Sequence, residues 1–240
     1  MWSVCKKELR QFFSSLTGYI AIAVFLLVNG LVLFVFKDNI LENGYATLDD
    51  FFRLAPWVLI FLIPAITMRA FADEYKGGTF EVLRTRPLTD WQIVAGKFWG
   101  SFAVALIALL PTLVYYITIN QLAATTGIDA GAAAGAYLGL LFLAAVFTGI
   151  GIYISSTTTN AVVAFIVTAL SLALLYYGFT AISQLDVFQS GADYFIELLG
   201  IESHYRSISR GVLDTRDVIY FLSLSLFFLW ITQQTIAKRA

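Results

Sequence analysis

Few side chains in this sequence are able to do covalent or acid–base chemistry, and their numbers and spacing rule most of it out. Cys5 and His204 each occur once. One cysteine forms no disulfide within the chain, and one histidine does not supply the paired ligands of a zinc hydrolase site. His204 reads as a plain surface residue of a loop rather than a catalytic group. Gly96-Lys97 has the last two residues of a phosphate-binding loop, but Phe98 follows where Ser or Thr is needed, and the upstream glycine is missing. No ATP site or cofactor site is expected in this chain. If it works against a gradient, a partner supplies the energy.

The polar chemistry concentrates between Asp73 and Lys97. Gly77-Gly78 breaks whatever precedes it. Thr79 is suited to cap a helix, with Glu81 in the first turn, where an acid suits the dipole. Arg84 and Arg86 follow, and Pro87 stops the helix because it pushes Arg86 out of the helical region. The spacing predicts under two turns from Thr79 to Thr85, with Phe80 and Leu83 on one face. Such a helix is unstable alone. It is either a knob for another protein's groove or an interfacial loop whose apolar residues dip into lipid. Thr89 and Gln92 have capping-box spacing, and Leu88 and Ile93 that of a hydrophobic staple. A second helix is therefore expected over Thr89–Lys97, lying at the membrane surface and turning into the next span near Lys97. The two would form a stiff lever.

The elements that hold this lever follow from composition. Of 240 residues, 59% are hydrophobic and 13% charged, against about 25% charged in soluble domains. The chain reads as an all-α integral membrane protein, one domain over residues 1–240. Trp2, Cys5, Leu9, Phe12 and Phe13 share a helical face opposite Lys6, Lys7 and Arg10, which predicts an amphipathic N-terminal helix in the membrane interface. Six segments approach the length of about 20 residues that a crossing needs: Gly18–Phe36, Phe51–Phe71, Phe98–Ile119, Ala136–Ile154, Ala161–Phe179 and Val218–Ile236. With the N-terminus inside, ten of the 15 Lys and Arg residues fall on the cytoplasmic side. Only Lys37, Arg53, Arg206, Arg210 and Arg216 fall outside. That asymmetry predicts cytoplasmic N- and C-termini.

The span centres lack ionisable groups, which argues against a proton- or ion-coupled carrier. Asn29, Thr112, Thr148, Thr168 and Ser171 read as interhelix hydrogen-bonding groups. In the outer loop Thr180–Asp217, Phe195, Ile196, Leu198 and Leu199 belong to a short amphipathic helix. It either lies on the surface or re-enters the outer leaflet, buried by protein.

Glu74, Gly78-Thr79-x-Glu81-x-Leu83, Pro87-Leu88 and Trp91-x-Ile93-x-x-Gly96-Lys97 together resemble the cytoplasmic segment of ABC-2 type transporter permeases. The six-span plan extends the resemblance over the whole chain. Leu54-Ala55-Pro56-Trp57 through Pro64-Ala65-Ile66-Thr67-Met68-Arg69 is similar to the gliding-motility permeases of the GldF type, and NosY-type permeases share much of the plan. The resemblance implies a non-catalytic inner-membrane permease working with a GldA-like ATPase and a GldG-like membrane subunit or a second copy. It implies that Thr79, Phe80, Glu81, Leu83 and Arg84 form an ATPase-coupling helix flanked by Glu74, Gly78 and Pro87. Phe195, Ile196, Leu198 and Leu199 would then form a re-entrant outer gate. A second reading is a non-transporting subunit that turns ATPase motion into mechanical or assembly work.

Overall fold

The computed structural model describes residues 1–36, 40–43, 47–123, 127–185 and 193–239. Lys37 of the charge count lies outside the described residues. The elements are α1 (Trp2–Phe13), α2 (Leu16–Phe34), α3 (Ile40–Asn43), α4 (Asp49–Thr67), α5 (Ala72–Lys76), α6 (Thr79–Arg84), α7 (Asp90–Leu109), α8 (Leu113–Leu122), α9 (Ala130–Thr157), α10 (Ala161–Ser183), α11 (Asp193–Leu198), α12 (Ile201–Ser209) and α13 (Thr215–Lys238).

Six helices, or near-continuous pairs of them, are long and apolar enough to cross a membrane. Their starts are set by polar side chains that accept the first free amides. Ser15 accepts from Gly18 N at 3.2 Å, Asp129 from Gly131 N at 2.8 Å, Asn160 from Val162 N at 2.9 Å and Asp214 from Arg216 N at 2.9 Å. Each such cap is worth about 1 kcal/mol. At Thr89 the full capping box forms, with Gln92 bonding back at 3.2 Å.

The core runs along α9. Of its most apolar window 72% is buried, against 22% for α2 and α10, so α9 is the axis and those two are peripheral. Around it sit α4, α7, α10, α12 and α13, with Phe51, Leu59, Ile63, Leu140 and Phe147 filling the interior.

Three expectations are corrected. Thr89–Lys97 is not a separate surface helix: α7 runs unbroken from Asp90 to Leu109. Nothing in it is a breaker until Pro111, which has no amide hydrogen to donate, and the chain tightens there into a 3-10 turn over Leu110–Thr112 before α8. Of the intramembrane polar groups, Asn29 and Thr148 serve their own helices, and among the described residues Thr168 Oγ1 is buried without a hydrogen-bond partner. Asn29 Nδ2 donates to Phe25 O at 2.7 Å and Thr148 Oγ1 to Ala144 O at 2.7 Å, because the carbonyl four residues back is always within reach. Thr112 does link two helices, since Tyr137 Oη donates to its carbonyl at 3.0 Å. His204 is not a surface residue: it is buried with Asp217 between α12 and α13.

Candidate functional site

At one end of α9 the chain between α4 and α7 folds into a compact, heavily tied segment. After Thr67 the helix loosens, and Ser155 of α9 takes over the exposed backbone groups. Its Oγ accepts from Phe71 N at 3.1 Å and Ala72 N at 3.3 Å, and donates to Met68 O at 3.1 Å. Helix α5 follows. Gly77 and Gly78 then turn the chain, and Gly78 sits at φ 65°, a conformation costly for any residue with a Cβ. Gly78 therefore occupies the cap position of α6. The Thr79 hydroxyl instead points back to Glu74 O at 3.5 Å.

Helix α6 has two unlike faces. Phe80 is only 5% exposed. Its ring meets Tyr75 edge-on at 4.9 Å and Phe71 at 6.0 Å, within a cluster that includes Ile93, Val94, Leu229 and Ile236. Leu83 is half-buried against the same cluster. Phe80 and Leu83 thus share a face as their spacing requires, but Phe80 turns into the chain itself, while Leu83 packs on the same cluster and also borders the open groove beside α6. The core Phe80 enters is assembled from α7 and α13. The opposite face presents Thr79, Glu81, Val82 and Thr85, with Val82 60% exposed. Arg84 is held by Asp90 at 3.4 Å and lies 5.6 Å over the Phe80 ring, fixing α6 to the start of α7. Beside α6 is an open groove of about 450 Å³, bordered by Lys7, Gln11, Asp73, Val82 and Arg86.

Beneath α5 lies a buried charge cluster. Lys97 of α7 is 0% exposed. Its Nζ meets Glu8 Oε1 at 2.8 Å and Glu74 Oε1 at 2.9 Å, donates to Ala70 O and sits 4.8 Å over the Phe71 ring. Lys7 pairs with Glu74 from the rim. Two cations and two carboxylates balance, so no charge is left unanswered in a place where an isolated one is prohibitively costly. The cluster joins α1, α5 and α7.

Helix α1 comes close enough to take part because α7 carries glycine where the two cross. A Cβ on Gly96 would lie 2.8 Å from Val4 Cβ, and one on Gly100 2.7 Å from Glu8 Cβ. Val4 and Cys5 are buried there, and Leu9, Phe12 and Phe13 pack against the core, so the apolar face of α1 meets protein except at exposed Trp2. Burial, then the nearby Glu8 carboxylate, raises the pKa of Cys5. At the other flank the Arg239 guanidinium lies 4.6 Å over Tyr75 and donates to Thr157 O at 2.6 Å.

Of the residues the sequence singled out, the structure therefore gathers Glu74, Gly78, Thr79, Phe80, Glu81, Leu83 and Arg84 into one segment, with Pro87 exposed at its exit. Sequence reasoning missed Lys97, Glu8 and Ser155 as its supports. The i, i+4 pair Gly96/Gly100 flanking Lys97 was the available signal of a close helix contact. At the far end of α9, Phe195, Leu198 and Leu199 are exposed on or just after α11, and Ile196 is half-buried. The neighbouring α12, which the sequence did not single out, is the element seated on α9, through Ile201, Tyr205 and Ile208. Tyr205 Oη donates to Phe52 O at 2.7 Å. Among the described residues no group of three or more His, Cys, Asp or Glu side chains is placed to hold a metal ion.

The protein is thus an all-α membrane protein of six spans, with its polar machinery at the two ends of one central helix. The sequence model of ABC-2 family transporter proteins matches residues 2–234, and the chain belongs to that family. Proteins of this family are non-catalytic transport proteins that pair with an ATPase subunit. No curated protein matches the chain at a significant level.

Proposed function

We propose that this chain is the permease subunit of an ATP-driven exporter of the inner membrane, a single domain with both termini in the cytoplasm and α6 as its ATPase-coupling helix. The observation that carries this reading is the division of α6: one face rooted through Phe80, the other offering Thr79, Glu81 and Val82 to a partner. A short helix anchored so firmly transmits a push rather than yielding to it. Arg84–Asp90 and the Lys97 cluster pass that push to α7 and α1, and Ser155 passes it to α9. The motif around Gly78 and the six-span plan support the ABC-2 permease role, and the second span, Leu54-Ala55-Pro56-Trp57 through Pro64-Ala65-Ile66-Thr67-Met68-Arg69, supports a GldF-like role in gliding motility, with a GldA-like ATPase and a GldG-like subunit or a second copy as partners. Helices α11 and α12 form the gate at the opposite, outer end.

The test is Val82→Asp. Burying Val82 in a partner's groove is worth roughly 1.5–3 kcal/mol, so its loss weakens ATPase binding by about tenfold to a hundredfold. Membrane levels of the variant stay normal, because Val82 touches little of its own chain. Full ATPase co-purification and full activity of Val82→Asp would show that α6 is not the docking helix. Substrate flux in vesicles reconstituted with the partners separates an exporter from a non-transporting subunit.

A further inference from the structure

At the end of the bundle opposite α6, one buried side-chain cluster has no place in the coupling scheme. His204 of α12 is enclosed by α11 and α13. Its Nδ1 lies 2.6 Å from Asp217 Oδ1, and its Nε2 lies 2.9 Å from Leu198 O. Tyr220 stacks on the ring at 3.9 Å, and its hydroxyl donates to Leu199 O at 2.9 Å. Both His204 and Asp217 are buried.

The proton count of this arrangement is informative. A backbone carbonyl only accepts, and an ionised carboxylate only accepts. A neutral imidazole has one N–H, so it satisfies one of these two neighbours and turns a lone pair toward the other. Both contacts are bonds only when the pair holds one more proton than neutral imidazole plus carboxylate. Among the described residues, Asp217 Oδ2 is buried without a hydrogen-bond partner, so that carboxylate depends on His204 for its compensation. The other ionisable groups around α12 are engaged elsewhere or distant from the ring. Glu202 pairs with Arg206 on α12 itself, and Arg206 also answers Glu197 of α11. Tyr176 of α10 packs with Tyr205, Tyr137 of α9 bonds to Thr112, and Asp50 and Arg53 of α4 pair with each other. Asp193 and Tyr194 of α11, Arg210 at the end of α12, Asp214, which caps α13, and Arg216 complete the set, and the His204 ring bonds instead to Asp217 and Leu198 O.

We propose that His204 and Asp217 form a proton-binding latch that ties α11, α12 and α13 together: with the proton bound, both bonds close, and when it leaves to water one of them is lost and the α11–α12 cap loosens. The latch is therefore tight at acidic pH and released as pH rises. This inference is independent of which subunit docks on α6.

The experiment is amide hydrogen exchange of the full chain in lipid nanodiscs at pH 6 and pH 8.5, corrected for intrinsic exchange rates and read over residues 201–209. Wild-type protection is expected to fall about tenfold or more between the two, as befits loss of a hydrogen bond to a charged group. Asp217→Asn supplies an N–H to Nδ1, so neutral His204 then satisfies both neighbours. That variant is expected to stay protected at both pH values, while His204→Ala is unprotected at both. Wild-type protection that changes less than twofold overturns the latch, as does an Asp217→Asn variant that loses protection as the wild type does. Failure here leaves the Val82→Asp result untouched, so the two readings fail separately.

Discussion

Replacing Lys97 with methionine removes the one cation shared by Glu8 and Glu74 while keeping the bulk of the side chain. Lys7 still answers Glu74, so Glu8 is the carboxylate left without a partner, its side chain only 10% exposed. Breaking a buried pair by deleting one partner costs about 3–5 kcal/mol. With Lys7 in place the lower end applies, about 3 kcal/mol. That energy is lost where α1 meets α7, so the expected event is local opening of α1 rather than collapse of the bundle. Cys5 reports it directly, being the only cysteine and buried in that contact. In the wild type its raised pKa keeps the thiol protonated near neutrality, so labelling is slow and quickens as pH rises. An opening made easier by about 3 kcal/mol raises the labelling rate roughly a hundredfold, at 1.36 kcal/mol per decade. The assay is labelling of Cys5 by a small maleimide in native membranes at fixed pH. Adding Glu8→Gln to Lys97→Met removes the orphaned charge and should slow labelling by about tenfold or more relative to Lys97→Met, at 1.36 kcal/mol per decade, measured against Glu8→Gln alone to subtract its direct influence on the thiol. A Lys97→Met protein that labels at the wild-type rate refutes the reasoning, and so does a double variant no slower than the single one.

Two further outcomes are expected. Phe80→Ala should cost about 3–5 kcal/mol in the stability of the α5–α6 segment, seen as rapid proteolysis near Gly77-Gly78 in open membranes; resistance equal to wild type would mean that Phe80 is no anchor. Cysteines placed at exposed Leu213 and exposed Thr85 in a Cys5→Ala background test orientation: an impermeant thiol reagent added to intact cells should label the first and spare the second, and the reverse pattern overturns the assignment of sides.

The six spans were legible because each is a long apolar run, and a run that long has few other uses. The cap at Thr89 was legible too, since Thr89 and Gln92 need only local spacing to find each other, whereas Thr79 leaves the cap position of α6 to Gly78. What lay hidden is long-range. Periodicity places Phe80 and Leu83 on one face but does not say what that face meets, and the core that receives it comes partly from Leu229 and Ile236. Lys97 looked like a bend at the membrane surface because Glu8 is 89 residues away in sequence. His204 looked solvated because nothing in its own segment announces Asp217 across the turn into α13. The continuity of α7 was obscured by the change from polar to apolar residues near Lys97, and nothing local shows that Gly96 and Gly100 serve as clearance for α1.

The length of α9 has a geometric consequence for the whole molecule. Its 28 residues form one unbroken helix, a rod of about 42 Å at 1.5 Å per residue. Ser155 lies near one tip, and the seat of Tyr205 and Ile208, against Gly139, lies about 14 Å in from the other at 1.5 Å per residue. A stiff rod converts a small angle into a large arc: pivoting by about 5° about one tip sweeps the other through about 4 Å, about two-thirds of the 5.4 Å of one helical turn. If α6 is pushed by a partner, as proposed above, α9 is able to carry that displacement to the far side as a rigid axle, with no chain of side-chain rearrangements along the bundle.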